Sequence, residues 1–280
     1  MKKNGYAETT IEITAKRLRM MAKHVNLDEP EKVKEYIAFK ECSNTYKEGL
    51  VICYDRYTRF NGLFWDKPLY RREDALIKLP TEERINKIIS SCTFRNVVAY
   101  TLLKECGLRP IELYYLTLEN IDLDKGIVYV KTAKYGKNRS IRLKKETLAM
   151  LKTYTSKGRF GLKQKMFNCP ATLGKTWQKA RKRTALKFQD PEIAKIRLYD
   201  LRHFYGSMLY HKTKDLIYVK EMLGHKSISS TMRYMHLVNF VSDEWICKIA
   251  HNVREAQKLI ESGFEHITNF EGKMLFRKRK

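Results

Sequence analysis

Residues 198–237 read LYDLRHFYGSMLYHKTKDLIYVKEMLGHKSISSTMRYMHL, and this stretch decides how the rest of the chain is understood. It sets Arg202, His225 and Tyr234 at intervals of 23 and nine residues, with Gly224 directly before the histidine. A guanidinium grips a phosphate through two parallel hydrogen bonds and keeps its charge. An imidazole titrates at about 6.5, close to neutrality. A phenol can attack phosphorus, and its ester conserves the energy of the bond it replaces, so a hydroxyl can later displace it. Taken singly these residues say little, since a lone arginine is usually a surface ion pair and Tyr234 is one of 17 tyrosines. Together they are the parts needed to hold a phosphodiester and attack it without a metal.

Composition points to the same partner. The net charge is +25, from 56 basic and 31 acidic residues, and such an excess favours polyanions, nucleic acid above all. Residues 1–79 hold 16 Lys/Arg and 12 Asp/Glu, so the charge is concentrated in the remainder, where the polyanion surface is expected. Cys42, Cys53, Cys92, Cys106, Cys169 and Cys247 form neither a CxxC pair nor a zinc-ligand spacing, and are expected to be reduced thiols. No apolar run reaches the roughly 18–20 residues that span a bilayer, and no signal peptide is evident. A soluble, intracellular, DNA-associated protein is expected, with no membrane partner and no small-molecule substrate.

The hydrophobic periodicity predicts helices over Ile11–Val25, Pro30–Phe39 and Tyr46–Phe60. A linker near 66–78 follows, which puts a domain boundary at 78/79. Thr81 with Glu82 and Glu83 marks a helix start. Helices are expected over Glu82–Ser91 and Phe94–Cys106, the second ended by Gly107. Alternation predicts strands at 126–131 and 138–143 around a basic turn, then a return to helix at Thr147–Tyr154. Helices dominate 173–237. A long helix is expected over Trp245–Ser262, stopped by Gly263, with a short hairpin around Glu271-Gly272 in the tail. The fold class expected is therefore mainly α with a small antiparallel β-sheet (α+β).

LRHFYGSML, LGHKSISSTMRYMHL and the upstream CGLRPIELYYLT resemble the conserved boxes of the tyrosine recombinases, the phage-integrase family of site-specific DNA recombinases. AKYGKNRSIRL resembles the family's β-hairpin segment. Four segments in the right order at the right intervals, over roughly residues 80–240, make the likeness specific. It implies a helical N-terminal domain (residues 1–78) that clamps DNA and a catalytic domain (79–280) whose tail covers 245–280. It assigns Arg109 and Arg202 to the phosphate clamp, His225 to a further hydrogen bond, Lys134 to protonation of the departing 5′-oxygen and Tyr234 to the nucleophile. The family works through a 3′-phosphotyrosyl bond and a Holliday junction, as a homotetramer on two double-stranded attachment sites, with no cofactor and no metal. A Tyr in the second box and the tail resemble archaeal, mobile-element integrases.

One member departs from the pattern. The family's His-x-x-Arg is Tyr199-Asp-Leu-Arg202 here. Tyr199 replaces the histidine that assists in removing the nucleophile's proton, and a phenol, with an ordinary pKa of about 10, is not that base at neutral pH; it stays among the expected catalytic residues because it can still hydrogen-bond a phosphate oxygen or a water. Candidate phosphate contacts are Arg56, Arg59, Arg71 and Arg72 in the N-terminal part, and Arg181, Lys182 and Arg183 in the basic run 181–187. Two other readings stay open: a type IB topoisomerase-like enzyme, and a catalytically silent DNA-binding protein of this fold.

Overall fold

The computed structural model describes residues 1–71, 78–132, 136–232, 234, 245–270 and 273–279. The chain forms two compact units, Met1–Leu76 and Ile77–Lys280.

The first unit is three helices, α1 (Glu8–Ala22), α2 (Pro30–Phe39) and α3 (Asn44–Asn61). Proline opens α2 where a missing N–H costs nothing. Ser43 caps α3 by accepting from the Tyr46 N–H. Met21, Val33, Ile37, Leu50, Val51 and Tyr54 meet in one core, one apolar face from each helix. Tyr54 is wedged edge-on against Trp65 at 4.8 Å and donates to the Leu27 carbonyl, and burial pushes its phenol up to about 12.

The second unit is built around α5 (Phe94–Cys106). It buries Val98, Ala99, Tyr100, Leu102, Leu103 and Cys106, so it is apolar nearly all round and must lie inside the unit. Against it pack α4 (Glu82–Ser90), capped by Thr81, and α7 (Lys145–Gly158). A short α6 (Pro110–Tyr114) leads to an antiparallel sheet of β1 (Ile121–Asp122), β2 (Ile127–Val130) and β3 (Arg139–Arg142). Val128 pairs with Ile141 on its buried face. The two-residue β1 is an addition to the strands that alternation predicts. Then come α8 (Pro170–Phe188), α9 (Pro191–Lys195), α10 (Asp200–Thr213), α11 (Leu216–Leu223) and α12 (Ser229–Met232). Each fully buried aliphatic side chain of this core contributes about 1.5–3 kcal/mol.

The tail corrects one expectation. Trp245–Ala250 is not the first half of a helix but a strand, β4. The helix, α13, covers only Val253–Glu261, because the Asn252 side chain accepts from the Glu255 N–H and starts it there. The backbone before that cap pairs with β6 (Lys273–Arg279), which also pairs with β5 (Glu265–Phe270), giving sheet order β4-β6-β5. A hairpin between β5 and β6 is present; its turn at 271–272 lies outside the described residues.

The five cysteines whose side chains are described are free thiols. Among the described residues no helix is long and apolar enough to cross a membrane, and no His/Cys/Asp/Glu group could hold a metal.

Candidate active site

The site is assembled from α5, α6, β3, α10 and α11 and from the chain just after α12. Gly107 ends α5, and Arg109 stands at the N-cap of α6, where Pro110 begins the helix. Glu112, three residues on, turns back so that its Oε2 accepts the Arg109 backbone N–H at 2.9 Å. The same carboxylate takes the Arg109 Nη1 at 2.7 Å and the Arg139 Nη2, from β3, at 2.8 Å. Its side chain is 0% exposed. Burial raises a carboxyl's pKa, but the Arg139 hydrogen bond and charge, the Arg109 N–H and the charge of Arg202 outweigh it and hold Glu112 below the usual carboxylate range. It is an ionised hub, surrounded by an excess of positive charge.

Arg202 lies on α10 and is 1% exposed. Its Nη1 donates to the Gly107 carbonyl and its Nη2 to the Leu223 carbonyl, the last residue of α11. Its Nη1 is 3.9 Å from Glu112 Oε2. Burial, with the charge of Arg109, lowers its guanidinium to about 10, so it stays cationic at neutral pH. Its Nε has no hydrogen-bond partner among the described residues.

Gly224 closes α11 in the left-handed region at φ 64°. A Cβ there would lie 2.8 Å from the Lys137 carbonyl and 2.9 Å from Arg139 Nη1, so glycine is required by backbone and space together. This is the physical content of the Gly-His pair: the turn delivers His225 inward. The His225 ring hydrogen-bonds Thr231 Oγ1 through Nδ1 at 2.9 Å and lies parallel to the Tyr234 ring at 6.5 Å. Tyr234 is 1% exposed and rests on α10 over Gly206, where a Cβ would come within 2.8 Å of the ring. Its hydroxyl lies 3.3 Å from His203 Nδ1.

Arg109, Tyr199, His203, His225 and Tyr234 line one pocket of about 310 Å³, together with Gly136, Gly224, Lys226, Ser227 and Ser230. Arg202 sits beneath this lining. Five of the expected catalytic residues, Arg109, Tyr199, Arg202, His225 and Tyr234, therefore converge. Lys134 and Arg72 lie outside the described residues.

The expected phosphate contacts are less uniform. Arg56 is engaged internally, with Nη1 on Thr14 Oγ1 and its guanidinium over the Tyr6 ring. Arg59 pairs with Asp55 but its side chain is largely exposed, and Arg71 is exposed. Arg181 donates to the Ile196 carbonyl, which makes it a brace between α8 and the chain after α9. Lys182 is exposed, and Arg183 donates to the Ser91 carbonyl from an exposed position.

Three site residues escaped the sequence reading. Glu112 carried a signal, as the acid three residues after an N-cap. Arg139 carried one too, since it shares the inward parity of β3 with buried Ile141. His203 stands beside Arg202 in sequence, and only the fold shows that it reaches Tyr234.

Comparison with known proteins bears on the family and the fold. The model of the phage integrase family matches residues 78–239. The chain is 28% identical over 173 residues to tyrosine recombinase XerA of Saccharolobus solfataricus, covering 61% of this chain and 55% of that protein. It is 27% identical over 192 residues to XerA of Pyrococcus furiosus, covering 64% and 65%. These alignments span about half to two thirds of the relatives' length. Among solved structures, the Tn1549 transposon integrase in complex with transposon right end DNA superposes with a TM-score of 0.66 at 13% identity, over 92% of this chain and 94% of that one. A lambda integrase dimer bound to a COC′ core site gives 0.58 at 16% identity, over 85% and 92%. At these identities the superpositions establish the fold.

Proposed function

The chain belongs to the phage integrase family, the tyrosine recombinases, which break and rejoin DNA by transesterification, and on that premise we propose that it is a site-specific recombinase that integrates and excises a mobile element. The observation that carries this reading is the convergence of Arg109, His225 and Tyr234 on one pocket, with Arg202 buried beneath it.

In this reading Arg109 and Arg202 hold the non-bridging oxygens of the scissile phosphate. Both are pre-set by Glu112 and by main-chain carbonyls, so little reorganisation is needed when charge builds on phosphorus. His225, oriented by Thr231, adds a hydrogen bond to the same oxygens. Tyr234 attacks, its Oη–P bond forms as the P–O5′ bond breaks, and Lys134 gives the leaving 5′-oxygen its proton. The energy of the phosphodiester is kept in the phosphotyrosine, so a second 5′-hydroxyl can reverse the step on a new partner. Two such exchanges, through a Holliday junction in a homotetramer on double-stranded attachment sites, give integration or excision. The first unit serves as the DNA clamp in this reading, with the exposed Arg59 and Arg71 as its candidate phosphate contacts.

The test is a library of nicked duplexes that trap the covalent adduct, resolved on denaturing gels. The unaltered protein is expected to form a protein–DNA adduct, and Tyr234→Phe to lose it while retaining DNA binding. An adduct undiminished in Tyr234→Phe removes Tyr234 as the nucleophile. No adduct from the unaltered protein favours a silent binder of this fold. Relaxation of supercoils without recombinant product points to topoisomerase-like use of the same chemistry. DNA affinity is expected to fall steeply with salt, as counterions are released at each phosphate contact.

A further inference from the structure

We propose that His203 is the general base of this site: it takes the proton of the Tyr234 hydroxyl during attack, in place of the histidine that Tyr199 displaces. The inference rests on the recombinase reading and adds to it a catalytic role for a residue of the LRHFYGSML segment to which the family likeness assigns none.

The placement follows from helix geometry. Tyr199, Arg202, His203 and Gly206 fall at i, i+3, i+4 and i+7, so they share one face where α10 begins. Gly206 leaves that face bare, and the Tyr234 ring lies on it. One turn towards the helix start, His203 meets the Tyr234 hydroxyl, with Nδ1 at 3.3 Å and ring centroids 5.9 Å apart. His203 is 6% exposed, and Tyr199 packs edge-on against it at 5.1 Å. The phenol at 199 is 45% exposed and forms a wall of the imidazole's slot at the pocket mouth. The other imidazole among the described lining residues is oriented differently: His225 directs Nδ1 to Thr231 and lies parallel to the Tyr234 ring.

The chemistry suits the position. A phenol has an ordinary pKa of about 10 and an imidazole about 6.5, so at neutral pH a histidine can act as acceptor where Tyr199 cannot. With the imidazole proton on Nε2, the Nδ1 lone pair faces the Tyr234 hydroxyl. As Oη bonds to phosphorus, its proton passes to His203 Nδ1. The P–O5′ bond breaks with its electron pair leaving on O5′, which takes a proton from the group on the opposite side of the phosphate. In the return step a 5′-hydroxyl attacks and passes its proton back to that same group, the O5′–P bond forms as the Oη–P bond breaks, and His203 gives its proton back to the phenolate. A hydrogen bond of 3.3 Å is within the range that tightens when substrate binds.

The experiment measures single-turnover adduct formation by the full chain on a nicked duplex. His203→Asn keeps an amide near the position of Nδ1 but removes the base. It is expected to slow adduct formation by about 10²–10⁴ while DNA affinity is unchanged. Two further measurements separate a base from a structural support. Imidazole in solution should restore part of the rate of His203→Ala. Difluorotyrosine at position 234, whose phenol is more acidic, should shrink the His203→Asn defect by at least tenfold. A His203→Asn protein that forms adduct at the unaltered rate overturns the proposal, as does a defect that neither imidazole nor the acidic phenol reduces. If the unaltered protein forms no adduct, the recombinase reading fails first, and the base assignment falls with it.

Discussion

Glu112→Gln tests the electrostatic hub beneath the pocket. The substitution keeps the shape of the side chain and one acceptor oxygen. It turns the other oxygen into an amide that faces N–H donors. In the native arrangement Oε2 receives the Arg109 backbone N–H at 2.9 Å and Arg139 Nη2 at 2.8 Å, and Oε1 receives Arg109 Nη1 at 2.7 Å. The Glu112 and Arg139 side chains are 0% and 4% exposed, so solvent screens this pair little. Removing one partner of a buried pair leaves the other charge uncompensated, which costs about 3–5 kcal/mol. For a unit of this size that corresponds to a fall in melting temperature of roughly 6–20 °C, at about 2–4 °C per kcal/mol. Thermal and urea melts at pH 7 give the number directly. A loss below about 1 kcal/mol, the range of exposed ion pairs, would refute the claim that this carboxylate organises the arginines. The pH dependence supplies a second check. Folding lowers the Glu112 carboxyl, so its contribution is fully present above the unfolded carboxylate value and is lost as pH falls through the lower folded value. In acid the stabilities of the native protein and of Glu112→Gln should therefore converge.

Further expectations follow from the same geometry. Gly224→Ala forces a Cβ against the Lys137 carbonyl at a positive φ, and is expected to destabilise by about 1–3 kcal/mol and to abolish adduct formation; urea melts and the nicked-duplex assay read both. Gly206→Ala adds a good helix former but displaces the Tyr234 ring, so adduct formation should fall while the melting temperature changes little. Tyr234 reaches the pocket of its own chain, so a mixture of Tyr234→Phe and Arg202→Ala proteins should form no adduct. Restored adduct would mean that the tyrosine is delivered to a neighbour.

Much of the second unit was legible in local signals. Thr81 followed by Glu82 and Glu83, Gly107 after Cys106, and the alternation at 126–131 all rest on contacts within a few residues, and each appears where that chemistry puts it. Trp245–Ala250 was not legible in this way. Its backbone conformation is set by pairing with β6, almost 30 residues on, which overrides a helical pattern. The phosphate contacts show the same limit, since whether Arg181 faces DNA or braces Ile196 depends on what packs beside it.

The sequence by itself determined the candidate reactive groups and their order: two arginines, a Gly-His turn, a tyrosine, and a phenol where a base is expected. Tertiary structure decided which groups meet. Glu112 meets Arg139 across 27 residues, Arg202 reaches the Gly107 carbonyl across 95, and His203 meets Tyr234 across 31. Periodicity describes a side chain's direction relative to its own helix or strand. Distances between elements are fixed only when the cores of the unit pack, and it is those distances that turn His203 from a neighbour of Arg202 into a partner of Tyr234.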